Sequence, residues 1–289
     1  MEINRLKLDN LRKELPNIKP TRVLLYVILF ILVIITLLPL WSAVMTAFKS
    51  QEDLQTTAPY EPSPSPSLDA LITTFDIMIR PMMNSLTFTI AATVLSCVIG
   101  SITGFVLSKF RFEGSDTVFL IIIVGIFIPY QAVLVPLFLI MVQWHLYETL
   151  LALIITHTAY GIPICTLLFR SFYEELPDSL INAAITDGAG IMRIYRKIVL
   201  PLSPLAFVVA AVFQFTNIWN DFLFGLVLGG SAAQPISVAL ANLKGSQVAL
   251  WHLQMAGTLW YSVPSLIVYF FLGKYLIKGF MAGAIKGYS

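Results

Sequence analysis

Very few residues in this chain are of a type and spacing that could make or break a bond. His145, His157 and His252 stand on different segments, with no carboxylate at a spacing that would pair with them. Cys97 and Cys165 both fall inside apolar runs, which leaves neither a disulfide framework nor a C-x-x-C metal site. The zinc-protease pattern H-E-x-x-H is absent. So is G-x-x-x-x-G-K-[ST], the loop whose backbone amides cradle nucleotide phosphates. The chain is therefore expected to catalyse nothing itself and to hold no metal or cofactor. Two stretches remain. One is "FQFTNIWNDF", in which Asp221 is the one acidic residue set well inside an apolar run; an ionisable group there is a functional candidate by default. Around it, Trp219 could stack on the ring of a polar solute, while Gln214, Asn220 and Asp221 could bond its hydroxyls. Trp and Asp near the outer end of a span also serve as interfacial anchors and helix-end packing, and both readings stay open. The other stretch is "INAAITDGAGIMRIYRKIVLPLSP", Ile181 to Pro204, polar and basic between long apolar segments.

The elements that must position these residues are membrane helices. The chain has 289 residues, 57% of them hydrophobic and 12% charged, and its mean hydropathy is +0.83. A soluble domain carries about 25% charge. Runs such as "VLLYVILFILVIITLLPLW" do not alternate between apolar and polar residues as barrel strands do. At roughly 20 apolar residues per spanning helix, six spans are expected, near 22–47, 83–107, 117–142, 150–170, 202–228 and 256–277. The fold class is accordingly an all-α membrane protein with six transmembrane helices. Pro39, Pro129, Pro136, Pro163 and Pro264 interrupt these runs; each removes a backbone hydrogen bond and is a candidate kink. Gly100 and Gly104 in "GSITG" have the spacing of closely packed membrane helices.

Charge sets the orientation. Fifteen Lys and Arg fall on the side of the termini and of the loop between spans four and five, against three (Lys49, Arg80, Lys244) on the other. The positive-inside rule puts both termini and that loop in the cytoplasm. A net charge of +2 is too small to suggest nucleic acid. The amino-terminal tail, 1–21, alternates apolar and basic residues as a surface-lying amphipathic helix does. It precedes a span too long for a signal peptide and is read as retained. Residues 22–280 form the membrane domain and 281–289 a cytoplasmic tail. The external "APYEPSPSPS" reads as an extended spacer.

The cytoplasmic loop, 174–201, has its own architecture. Pro177 suits a first helical turn, with Asp178 and Ser179 near its positive end. Leu180, Ala183 and Ala184 recur at helical spacing, and Gly188 suits the left-handed residue that closes a helix. A second short helix follows, with Ile191, Ile194, Tyr195 and Ile198 on one stripe and Arg193, Arg196 and Lys197 off it; Pro201 opens the next span. Two short helices meeting at a glycine make an elbow of small, apolar and basic surface that crossing a bilayer does not require.

The spacing of that elbow resembles a known family. Ala183, Ala184, Asp187, Gly188, Ala189, Tyr195, Ile198, Leu200 and Pro201 match the "EAA" loop of the permease subunits of ABC importers. "NSLTFTIAATVLSCVIGSITGFVLSKFRFEG", "FTNIWNDFLFGLVL", "QPISVALANLKG" and "KYLIKGFMAGAIKG" are similar to the carbohydrate-importer, MalG-type branch, glucose/mannose-type permeases in particular. The resemblance runs from about residue 22 to 287. It departs at Asn182, where the family has Glu, at Tyr195, where Phe is usual, and at Pro204, one place early. The resemblance implies the type I ABC importer permease fold in the cell (inner) membrane, and a subunit forming half of a sugar translocation pathway. Its loop 181–201, Asn182 included, would couple to a separate ATPase dimer that holds ATP and Mg. Further partners implied are a second, different permease and an extracytoplasmic sugar-binding protein docking near 229–255. An ion-coupled secondary transporter is the alternative, but it calls for internal repeats and several intramembrane carboxylates. An intramembrane enzyme would need a paired catalytic set, and none is present.

Overall fold

The computed structural model describes residues 20–110, 112–243 and 250–285, with side chains as far as 275. Residues 1–19 lie outside this set, and with them nearly all of the tail expected to form an amphipathic helix. No strand occurs among the described residues. Four helices are long and apolar enough to cross a membrane: α1 (Pro20–Ala47), α2 (Asp69–Lys109), α5 (Leu150–Glu174) and α11 (Trp251–Ile285). Two further segments reach that length only as bent pairs. Ser115–Phe127, opening with α3 (Ser115–Val124), turns 95° into α4 (Tyr130–Gln143). Ile191–Leu202 turns 80° into α8 (Pro204–Trp219). The count is thus four spans, or six if each bent pair is one.

Prolines place the breaks. Pro39, Pro136, Pro163 and Pro264 lie within helices that continue past them. Pro129 instead caps α4 in extended backbone, so the expected span 117–142 is two helices rather than one. The expected span 202–228 is two helices, α8 over Pro204–Trp219 and, after a break, α9 (Leu223–Leu228). The second span overshoots the expected 83–107 instead. At 41 residues and about 1.5 Å per residue it is twice as long as the hydrocarbon core is thick.

α2 and α5 form the central pair. A Cβ on Gly100 would stand 2.5 Å from Cys165 Cβ and 2.9 Å from Cys165 carbonyl carbon, so only glycine allows this approach. α1 lies outermost, its apolar window wholly unburied by the rest of the chain. The segment after it is no spacer. Buried Lys49 donates from Nζ to Thr57 Oγ1 (2.7 Å) and the Ala58 carbonyl (2.6 Å). Ser63 donates to Asp53 (2.6 Å), and the Trp41 indole N–H donates to the Tyr60 carbonyl (2.9 Å). The Pro/Ser-rich stretch is therefore folded back onto the end of α1. "QPISVALANL" likewise forms a helix, α10 (Ile236–Asn242), held against α2 by Ser85 Oγ accepting from Ile236 N (2.9 Å).

Candidate functional site

The loop after α5 builds two short helices at a fixed angle. α6 (Asp178–Thr186) starts after Pro177, which sits in extended backbone. It stops at Gly188, whose φ is +77°. The closure is a Schellman motif: Ala189 N donates to the Ala184 carbonyl (2.9 Å) and Gly188 N to the Ile185 carbonyl (2.9 Å). These bonds need the left-handed residue the sequence places there. α7 (Ile191–Ile194) follows and widens into a π-turn over Tyr195–Val199. A further turn, Leu200–Leu202, ends at the 80° bend. Pro204, not Pro201, opens the long helix, with Ser203 buried at the corner and donating to the Val199 carbonyl.

One face of this elbow is rooted in the bundle. Ile181, Ile194, Tyr195 and Val199 share a core with Phe105 of α2, Phe169 and Tyr173 of α5, and Ala206 and Ala210 of α8. Ser101 Oγ lies 2.6 Å from Tyr173 Oη and 2.9 Å from Tyr195 Oη, a buried hydroxyl trio joining α2, α5 and the elbow. Lys109 Nζ, at the end of α2, reaches the Leu176 carbonyl (2.6 Å) and Asp178 (2.6 Å). The other face is open. Leu180, Ile185, Ile191 and Met192 are 44–50% exposed. Asn182, Ala183, Asp187, Gly188, Arg193, Arg196, Lys197, Leu200 and Pro201 are exposed with them. Ala184, Ala189 and Ile198 sit between the faces, half-buried. Ile191 leaves the inward stripe on which the sequence reading puts it, because α7 begins only there and its first turn stands clear of the core.

A second feature lies at the two broken spans. A cavity of about 490 Å³ is lined by Tyr130 beside the Pro129 break, His157 and Tyr160 of α5, and Gln214, Asn217, Asn220 and Asp221 where α8 ends. Gln214 is buried and donates to the His157 carbonyl (3.3 Å) and Ser96 (3.4 Å), tying three helices together. Asn220 Oδ1 accepts from Tyr261 Oη (3.0 Å). Asp221 accepts from Gly225 N (3.1 Å), and its Oδ2 lies 3.7 Å from His157 Nε2. Trp219 is not on the wall of this cavity. Its ring lies on Phe215 (5.8 Å, 6° between planes) and its N–H donates to the Tyr261 carbonyl (3.2 Å), so its faces are spent on packing. Among the described residues no group of three or more His, Cys, Asp or Glu is placed to hold a metal ion.

Residues 96–282 match the family described as binding-protein-dependent transport system inner membrane component. The chain belongs to that family. This permease is 50% identical over 273 residues to a probable ABC transporter permease of Pyrococcus horikoshii, covering 94% of the chain and 99% of the relative. It is 35% identical over 270 residues to the xylose/arabinose import permease of Haloferax volcanii, covering 84% and 86% of the two. Its fold is that of a bacterial ABC transporter involved in importing the acidic polysaccharide alginate. The match has a TM-score of 0.72 and 20% identity and covers 90% of this chain and 99% of that one. The permease is thus a multi-pass membrane component of a transport system.

Sequence reasoning found the elbow of this permease because its signals are local. It missed Ser101 and Tyr173, which hold Tyr195 from other helices. It also left His157 without a carboxylate, since the separation of 64 residues between His157 and Asp221 is closed only by the packing of α5 against the end of α8.

Proposed function

We propose that this permease is one half of the membrane channel of an ATP-driven, binding-protein-dependent sugar importer, with six spans and both termini in the cytoplasm. One observation carries the reading: the elbow 181–201 is rooted in the bundle core on one face and presents half-exposed Leu180, Ile185, Ile191 and Met192 beside Arg193, Arg196 and Lys197 on the other. A topology anchor needs the positive charge but not a buried root. A lever needs both. Docked in a groove of a separate ATPase, where ATP and Mg are held, the elbow moves with the closing ATPase dimer and carries α2, α5 and α8 with it.

The exposed end of α8 supports a partner. Thr216, Asn217 and Asn220 make a polar exposed surface there, which suits a protein-lined solute path better than lipid. A second permease, different from this one, covers that side and completes the solute path along which Gln214, Asn220 and Asp221 lie. A sugar-binding protein delivers solute from outside, docking near α10 and its flanking loops. The similarity to a permease for xylose and arabinose supports a sugar as cargo.

The test is purification with native partners followed by reconstitution in proteoliposomes. Co-elution of an ATPase, and sugar uptake that requires internal ATP and the binding protein, are expected. Uptake that follows an imposed proton or sodium gradient with no ATPase present refutes the reading and favours a secondary transporter.

A further inference from the structure

The cavity at the broken spans holds a buried imidazole that its surroundings do not satisfy. His157 is 5% exposed, with Phe88 parallel to it at 5.6 Å and the edge of Phe224 at 5.6 Å, so its ring plane is fixed. Its Nε2 has no hydrogen-bond partner. A carboxylate oxygen, Asp221 Oδ2, is 3.7 Å away, beyond the roughly 3.2 Å reach of a direct hydrogen bond. Gly225 N holds that carboxylate in place. Two fixed polar atoms at this separation fit a third between them. A hydroxyl oxygen about 2.8 Å from each closes the triangle, accepting from the imidazole N–H and donating to the carboxylate.

We propose that this cavity is a binding subsite, belonging to this chain, for a neutral hydroxyl-rich solute whose hydroxyl bridges His157 and Asp221; it rests on the importer reading above. The volume, about 490 Å³, falls within the roughly 300–1,000 Å³ of small-ligand pockets. The backbone breaks at 128–129 and 220–222 border it, as irregular backbone at membrane depth does where it lines a path. Tyr130 and Tyr160 each stand against Phe224, at 5.8 and 5.1 Å, giving apolar ring surface for the C–H face of a sugar. Asn217 and Asn220 supply further donors and acceptors. Among the described residues no Lys or Arg lines the cavity. An acidic sugar would meet the Asp221 carboxylate with no counter-charge, so the subsite selects neutral solutes over uronates.

The complete complex (both permeases, ATPase and binding protein) in proteoliposomes tests this, with labelled D-xylose, L-arabinose, D-glucose and D-glucuronate as probes. The wild type is expected to import at least one neutral sugar and to leave glucuronate outside. His157→Leu and Asp221→Leu lower import of that sugar by about tenfold or more while the ATPase still co-purifies. His157→Gln and Asp221→Asn, which keep a polar group but displace or neutralise it, raise KM about two- to fivefold with Vmax retained. Wild-type kinetics in the Gln and Asn variants, whether or not the Leu variants assemble, overturn the subsite and mean that the bridge holds water only. Glucuronate import matching that of a neutral sugar overturns it as well. Equal loss of import in all four variants, with loss of the ATPase on purification, makes the pair structural and also overturns it. A wild-type complex that holds its ATPase but imports no neutral sugar overturns the sugar-importer reading itself.

Discussion

Replacing Gly188 isolates the elbow's geometry from its contacts. A Cβ at this position meets nothing within 4 Å, so a substitution costs nothing in overlap. The whole cost is backbone: φ is +77°, and a non-glycine residue there loses about 1–2 kcal/mol, more if β-branched. That shifts the ratio of closed to opened elbow by roughly five- to thirtyfold. Asn tolerates the left-handed region, so the series Gly188→Asn, →Ala, →Val is graded in strain while the Cβ of each meets no neighbour. Two readouts bear on it. Hydrogen exchange at the Gly188 and Ala189 amides, the two donors of the closing motif, is expected to quicken in that order. ATP hydrolysed per solute imported, measured in proteoliposomes, is expected to rise in the same order, because on the proposed docking a loosened elbow transmits less of the ATPase stroke. Val and wild type giving equal exchange and equal coupling, with subunit assembly intact, sinks the argument. So does an Asn variant as damaged as Val, since that points to the added side chain rather than to φ.

Three further outcomes follow from the packing. Gly100→Ala forces a methyl to within 2.5 Å of Cys165 Cβ and is expected to destabilise the α2–α5 pair by about 1–3 kcal/mol, read as a lowered melting temperature in detergent; an unchanged melting temperature contradicts the close approach. Tyr195→Phe removes one hydroxyl from the Ser101 trio but leaves the 2.6 Å contact to Tyr173, so the loss should be only about 1 kcal/mol; Ser101→Val, which takes the shared partner from both tyrosines and leaves Tyr173 its contact with Ser203, should cost more. In the segment after α1, the Ser63 hydroxyl and the Ser50 amide hold the Asp53 carboxyl below its ordinary value of 3.8. The folded pKa is the lower one, so the carboxylate's contribution is complete above that value and lost as pH falls through the depressed one. Nicking of residues 48–67 by pepsin should therefore increase only below pH 3.8, and Asp53→Asn should nick equally at all acid pH values.

What the sequence exposed and what it concealed divide by range. The elbow was legible because Pro177, Gly188 and the stripe Ile194–Tyr195–Ile198 act through backbone conformation and helical period, over neighbours a few residues apart. Span existence was legible for the same reason. The breaks were not: Pro129 and Pro136 look alike in sequence, yet one caps a helix and the other sits within it. Which of them yields depends on whether neighbouring helices re-satisfy the freed backbone groups. "APYEPSPSPS" read as a spacer because its composition favours extension; the Lys49, Asp53 and Trp41 bonds that fold it back come from partners outside the stretch. Trp219 illustrates the converse, since its type suggested a stacking platform and its surroundings had already taken both uses of the ring.

The two sites, though at different levels of the bundle, share their helices. α5 carries Phe169 and Tyr173 in the core that roots the elbow, and His157 and Tyr160 on the cavity. From Tyr173 to His157 is sixteen residues, or about 24 Å along the axis. α8 does the same in reverse: Ala206 and Ala210 pack with the elbow, and Gln214 to Asp221 reach the cavity. α8 is joined directly to the elbow through the Ser203 corner, and α5 runs into it through residues 175–177 and is tied to it again by Tyr173 and Ser101. On the proposed lever reading, a displacement of the elbow would reach the cavity by two helices, one carrying His157 and the other ending just before Asp221. The 3.7 Å gap between the two side chains would then follow the relative position of those helices, which Gln214 ties together through its bond to the His157 carbonyl.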